Sequence, residues 1–222
     1  MNDDYSQQPF INTDFADNPE NRCACVLLLD TSSSMSGERI RQLNEGLRRF
    51  EEELKSDDLA AKRVEVAIIT FGPVNVITEF TSAMHFVAPT LTASGNTPMG
   101  EAIERGLDLL RERKDQYRAA GIAYYKPWAF LITDGGPTDS VTNAAQRVKA
   151  ESERKSLSFF GVAVEGADLV TLEKISARAP IKLQGLSFKE LFSWLSNSLS
   201  SVSKSKPGDE VALTVPTGWA TV

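Results

Sequence analysis

The chain has 222 residues, enough for one α/β domain with a well-buried core, and length alone gives no reason to split it. Its 24 Lys and Arg against 30 Asp and Glu leave a net charge of −6, which argues against phosphate-driven nucleic-acid binding and against docking on an anionic membrane surface; the expected partner is another protein. No stretch approaches the ~18 apolar residues of a membrane span. Asp3, Asp4 and Asp17 stand where a signal peptide needs a basic and then an apolar run, so the expected location is the cytoplasm.

Residues 1–22 mix Asn, Asp, Gln and Pro with isolated Phe10, Ile11 and Phe15, and read as an irregular leader with a few apolar side chains to pack on the domain. Cys23 to Leu29 reads as a strand, apolar enough for the centre of a parallel sheet covered on both faces. Cys23 and Cys25 are the only cysteines. Two apart on a strand, they share a face, a disulfide between them would be strained, and two sulfurs do not complete a metal site. They read as small buried hydrophobes.

A hydroxyl-rich turn, Asp30-Thr31-Ser32-Ser33-Ser34-Met35-Ser36, follows the strand. Ile40, Leu43, Leu47, Phe50 and Leu54 then recur at helical spacing. Two strand patterns, Arg63 to Phe71 and Val74 to Phe80, are joined by Gly72-Pro73, too short for a parallel crossover, so they form an antiparallel pair. Thr97 reads as the N-cap of a helix with Pro98 at its first position and Met99, Ile103, Leu107 and Leu110 on its buried side.

Trp128 to Thr133 is the next strand, ending at Asp134. Ser140 to Lys155 reads as helix, Leu157 to Val164 as strand, Ala167 to Arg178 as a short helix and Ile181 to Leu183 as a last short strand. The closing helix aligns Phe188, Leu191, Phe192, Leu195, Leu199 and Val202, and its Ser196 to Ser205 stretch reads as a small polar outer face. The tail from Asp209 carries Val211, Leu213, Val215 and Trp219, and either lies back on the domain or reaches a partner. The expected organisation is a leader (1–22), one domain (23–203) and a C-terminal tail (204–222). Strands alternating with helices predict an α/β, doubly wound, mostly parallel sheet with one antiparallel strand and helices on both faces.

In such a sheet ligands gather outside the carboxyl ends of strands, where strand order reverses. Asp30 and Asp134 sit at two such ends, Ser32 and Ser34 offer alternate hydroxyls on the first turn, and Thr97 lies in Ser94-Gly95-Asn96-Thr97-Pro98-Met99-Gly100 on a loop entering a helix. One carboxylate plus hydroxyls is the kind of incomplete oxygen set that Mg²⁺ accepts while keeping several waters. The alternative for Asp30 and its serines is to cap the first helix.

These blocks match the Asp-x-Ser-x-Ser, Thr, Asp pattern of a metal-ion-dependent adhesion site. From about Arg22 to about Ser203 the chain resembles the von Willebrand factor A family, and within it the bacterial TerY-like group associated with tellurium resistance. The resemblance is carried by Leu-Leu-Leu-Asp-Thr-Ser-Ser-Ser-Met-Ser-Gly (27–37), Leu-Thr-Ala-Ser-Gly-Asn-Thr-Pro-Met-Gly-Glu-Ala (91–102) and Lys-Pro-Trp-Ala-Phe-Leu-Ile-Thr-Asp-Gly-Gly-Pro-Thr-Asp (126–139). It implies that Ser32, Ser34 and Thr97 touch the metal directly or through water, while Asp30 and Asp134 act mostly through waters and hydrogen bonds to the hydroxyls. It also implies Mg²⁺ (with Mn²⁺ or Ca²⁺ as alternatives), a protein partner supplying an Asp or Glu carboxylate, and kinase or phosphatase partners in a stress-response assembly.

The expectation is therefore a non-enzymatic, metal-dependent protein-binding module. The competing reading is a magnesium-dependent phosphoryl-transfer enzyme using Asp30, but the second acid that such phosphatases carry two residues on is here Ser32. Neither a Gly-x-Ser-x-Gly elbow nor a Gly-x-Gly-x-x-Gly or Walker lysine motif is present. Asp139 reads as a helix N-cap or first-turn acid, His85 as a non-catalytic histidine, and Tyr124, Tyr125 and Trp128 as packing aromatics.

Overall fold

A computed structural model describes residues 15, 17–176, 178–209, 211, 218, 220 and 221. Among the described residues seven strands form one sheet: β1 (Cys23–Asp30), β2 (Val64–Phe71), β3 (Val74–Ser82), β4 (Trp128–Thr133), β5 (Ser158–Ala163), β6 (Ile181–Leu183) and β7 (Ala220–Thr221). Their order is β3-β2-β1-β4-β5-β6-β7. The five inner strands β2, β1, β4, β5 and β6 run parallel, and β3 is antiparallel to β2 across the Gly72-Pro73 turn. A second antiparallel member, β7, comes from the tail: Leu183 pairs with Ala220 at the far edge.

Side-chain alternation along β1 divides the core. Cys23, Cys25, Leu27 and Leu29 face one layer, while Ala24, Val26 and Leu28 face the other, and all are buried. Helices α1 (Glu38–Ser56), α2 (Asp58–Arg63) and α6 (Phe188–Lys204) cover the first face. Helices α3 (Met99–Ala119), α4 (Thr142–Glu153) and α5 (Leu169–Ile175) cover the second. Both cysteines are free thiols; burial, and then the charge of Glu65, pushes Cys23 up to about 12, and burial raises Cys25 as well.

Local details depart from the sequence reading where tertiary contacts decide. α2 was hidden because its six residues carry no long periodicity; it exists because the Asp57 carboxylate accepts the Leu59 and Ala60 N–H groups, each at 3.1 Å. The serines of α6 are not all outward: Ser196 and Ser198 are buried, Ser196 donating to Glu53 and Ser198 to the Trp194 carbonyl. Phe15 of the leader is buried against Tyr117, whereas Phe10, Ile11, Leu213, Val215 and Trp219 lie outside the described residues. Val211 packs against the first core layer. Among the described residues no helix is long and apolar enough to cross a membrane.

Candidate metal centre

Strand order reverses between β1 and β4, because β1 leads on one side to β2 and β3 and on the other to β4 and β5. Leu29 is level with Ile132, so the next residues, Asp30 and Thr133, emerge side by side at the carboxyl edge. Asp30 points back into the protein and is fully buried. Its Oδ1 accepts the Ser32 backbone N–H at 2.8 Å and its Oδ2 accepts the Thr133 hydroxyl at 2.5 Å. Burial raises its pKa, the hydrogen bonds from Ser32 and Thr133 pull it down, and the charge of Asp134 raises it again.

The serines do not cap α1. A short 3₁₀ turn, Ser33–Met35, separates them from that helix, whose N-cap is Gly37 without a side-chain bond. Instead, the Ser32 and Ser34 hydroxyls lie 3.0 Å apart and Ser34 donates to Asp134 Oδ1 at 2.7 Å. The hydroxyl chain therefore crosses the switch point from the β1 turn to the end of β4.

Thr97 reaches the same edge through backbone clamps. The Asn44 side chain of α1 holds the Leu91 N–H and C=O at 2.7 and 2.9 Å. Ser94 N–H then donates to the Thr31 carbonyl at 2.7 Å, and Ser33 N–H to the Gly95 carbonyl at 3.1 Å. Gly95, in the left-handed region at φ 75°, sits so close to Gly72 that a Cβ would fall 2.0 Å from the Gly72 carbonyl oxygen. Thr97 N–H donates to the Thr138 hydroxyl at 3.1 Å, and Thr138 N–H returns a bond to the Thr97 carbonyl at 2.9 Å.

The N-cap assignment of Thr97 is corrected: α3 begins at Met99, and the Asp139 carboxylate takes the Gly100 and Glu101 N–H groups at 3.0 and 2.8 Å. Asp139 is thus a capping acid, but for α3 rather than for the helix that follows it. With that duty filled from another loop, the Thr97 hydroxyl makes no hydrogen bond among the described residues. His85 is exposed, its Nδ1 3.2 Å from the Ser82 hydroxyl.

Sequence reasoning missed Arg39. Its Nη1 donates to Asp134 Oδ2 at 2.6 Å and to the Ser34 carbonyl at 3.2 Å, and its Nη2 to the Glu165 carbonyl at 3.2 Å. The signal was present: a cation in the first turn of α1 opposes the helix dipole, which favours acids there. Thr133 and Thr138 were missed as supports, and Asp139 was assigned to the wrong helix, because their roles depend on register and loop approach.

The donor set is hard oxygen: three hydroxyls and two carboxylates on one edge, two of the hydroxyls and Asp134 already in line. Among the described residues no three His, Cys, Asp or Glu gather to hold a metal, so a cation here would rest on hydroxyls and water as much as on acids. That composition fits Mg²⁺ or Mn²⁺ rather than a soft metal.

Comparison with known proteins agrees with the fold. The chain is similar to the pilus adhesin SpaC of Lactobacillus rhamnosus GG (13% identity, TM-score 0.65, 83% of this chain and 31% of that one). It is also similar to the vWF domain of the type V pili tip protein Mfa5 of Porphyromonas gingivalis (10%, 0.61, 87% and 99%). Proximal thread matrix protein 1 of the mussel byssus is a third such structure (16%, 0.56, 82% and 49%). The chain thus spans about half or less of two of these proteins and nearly all of the Mfa5 domain. No curated protein sequence matches it. The profile of the von Willebrand factor type A domain matches residues 25–191, most of the chain, and the protein belongs to that family.

Proposed function

We propose that the protein is a non-enzymatic, divalent-metal-dependent protein-binding module whose metal site is made by Ser32, Ser34 and Thr97 with Asp30 and Asp134 acting mostly through waters and hydrogen bonds to the hydroxyls, the pattern of a metal-ion-dependent adhesion site. Domains of this family often bind proteins in a metal-dependent way. The observation that carries the reading here is the chain Ser32–Ser34–Asp134 across the switch point, at 3.0 and 2.7 Å, with Asp30 locked behind it. A bound Mg²⁺, with Mn²⁺ or Ca²⁺ as alternatives, supplies a Lewis-acidic position for a carboxylate. Neutral hydroxyls leave more of its charge uncompensated than direct carboxylates would, which favours an Asp or Glu from the partner.

The residues' own work is to orient. Asp30 fixes the serine turn through the Ser32 N–H, and Thr133 fixes Asp30. Asp134 holds the Ser34 hydroxyl, and the Thr138 clip holds Thr97. The phosphoryl-transfer alternative gains no support, because a nucleophilic Asp30 needs an accessible oxygen and both of its oxygens accept hydrogen bonds inside the protein. The wider context, a cytoplasmic TerY-like assembly of the bacterial tellurium-resistance type with kinase or phosphatase partners, rests on the motif resemblance alone.

Affinity capture from the native lysate tests this, with wild-type and Ser34→Ala protein, each in Mg²⁺ and in chelator. The expected result is one set of proteins lost in all three perturbed samples. A partner Asp→Asn or Glu→Gln change should then reproduce the chelator effect without adding to it. A captured set indifferent to both chelator and Ser34→Ala would overturn the proposal.

A further inference from the structure

The end of the sheet opposite the metal edge carries charge of the other sign. A cavity of about 720 Å³ opens at the amino ends of β4 and β5. Among its described lining residues are six cations, Lys114, Arg118, Lys126, Arg154, Lys155 and Arg178, and one acid, Asp209. They concentrate positive charge on a chain whose net charge is −6.

Helix termini explain part of this. Arg118 stands in the last turn of α3 and Arg154 is the C-cap of α4, where the negative end of the helix dipole favours a cation. Lys114 meets Glu151 at 3.2 Å and Arg118 meets Asp115 at 2.6 Å. Among the described residues Lys126 and Arg178 have no such role: one lies on the loop entering β4, the other between α5 and β6. The Arg178 guanidinium lies 4.5 Å from the Phe160 ring centroid, and that of Arg118 lies 5.9 Å from Tyr124. An aromatic face orients a guanidinium without cancelling its charge, so its edge keeps N–H donors suited to a carboxylate.

We infer that this groove is a second interaction surface, fitted to a carboxylate-rich segment of a partner protein and independent of the metal edge. Charge complementarity selects the occupant. A long polyanion such as nucleic acid would also meet the acidic remainder of the surface, whereas a short acidic segment meets only the cations within about a Debye length, ~10 Å. The surface shares none of the five metal-edge residues, so its failure and the failure of the metal site are separable.

The test is fluorescence anisotropy of a fluorescein-labelled decaglutamate peptide with the full chain in EDTA. The expected result is saturable binding that weakens at least about tenfold between 50 and 300 mM NaCl, as screened charge pairs do. Lys126→Glu with Arg178→Glu should weaken it by a similar factor. Lys126→Glu with Arg154→Glu, which leaves the Phe160 stack in place, should do the same. Arg48→Glu with Arg105→Glu, an equal charge change on other exposed faces, should leave it within about twofold, because separate exposed charges are screened. Absence of saturable binding, equal losses in the control pair, or tighter binding of a labelled ten-nucleotide oligothymidylate than of the peptide would overturn the inference.

Discussion

Two buried acidic centres occupy opposite ends of the same sheet, and they differ in what surrounds the carboxylates. At the amino end, Glu65 of β2 takes Arg22 Nε at 3.0 Å, Arg113 Nε and Nη2 at 2.7 and 2.8 Å, and the Tyr117 hydroxyl. Arg22 also donates to the Asn18 and Glu20 carbonyls, which ties the leader to the domain. All four side chains are buried and two of the partners are permanent cations. At the carboxyl end, Asp30 and Asp134 accept from two hydroxyls, one backbone N–H and, among the described residues, one cation, Arg39, whose side chain is 32% exposed against 0% for Asp134. A guanidinium has no lone pair to offer a metal, whereas a serine or threonine hydroxyl can turn from donating a proton to ligating a cation. Burial of an acid therefore does not mark a functional site; the chemistry of its donors does.

The largest effect should separate the two ends. Glu65→Ala leaves two buried guanidinium groups without their acid and should cost about 3–5 kcal/mol. Asp134→Ala leaves only partly exposed donors behind and should cost about 1 kcal/mol or less. Urea denaturation of both variants reads the difference, and equal costs would erase the distinction. A loss between these two is expected at Thr133→Val, which keeps the volume but leaves Asp30 Oδ2 without its donor: about 1–3 kcal/mol. The same change should push the Asp30 carboxyl further up, so metal binding should fade at a higher pH than in wild type.

The Glu65 end also sets a pH dependence. An unfolded Cys thiol ionises near ~8.5, whereas burial and then the Glu65 charge hold Cys23 up to about 12. Between those values the unfolded state binds fewer protons, so stability is intact below about 8.5 and declines as pH rises, by up to ~1.4 kcal/mol per unit for one thiol. Urea midpoints at pH 7, 9 and 10 check this, and Cys23→Ala should flatten part of the slope. At the metal end, Arg39→Gln removes a cation that shares Asp134. Mn²⁺ affinity should rise roughly fivefold, the factor that ~1 kcal/mol gives. Unchanged affinity in calorimetry would mean that Arg39 only fastens the Glu165 loop.

The sheet was readable from sequence because its strands are short apolar runs ended by acids or turns, and because Gly72-Pro73 is too short for a crossover. The convergence of Asp30, Ser32, Ser34 and Asp134, the candidate metal residues, was readable for a related reason: they stand at or just after strand ends, where chain order alone forecasts it. What was not legible depends on contacts between loops. Asp139 capping α3, Thr138 clipping Thr97 and Gly95 meeting Gly72 join segments some 20 to 40 residues apart, with no periodic signature. Arg22, Arg113 and Glu65 were not singled out because nothing local announces that they meet. The two-residue β7 was invisible for lack of length.

Calorimetric titration of Mg²⁺ and Mn²⁺ into the wild-type chain and into the Ser32→Ala, Ser34→Ala double variant tests the central claim most directly. Two acids and three hydroxyls supply less charge than an EF-hand loop, so wild type should show saturable binding weaker than the ~10⁻⁷–10⁻⁵ M of EF-hand sensor sites. The double variant should lose that heat while unfolding cooperatively near the wild-type midpoint. Equal heats in the two proteins would contradict the account and leave the hydroxyl chain a purely structural link between β1 and β4.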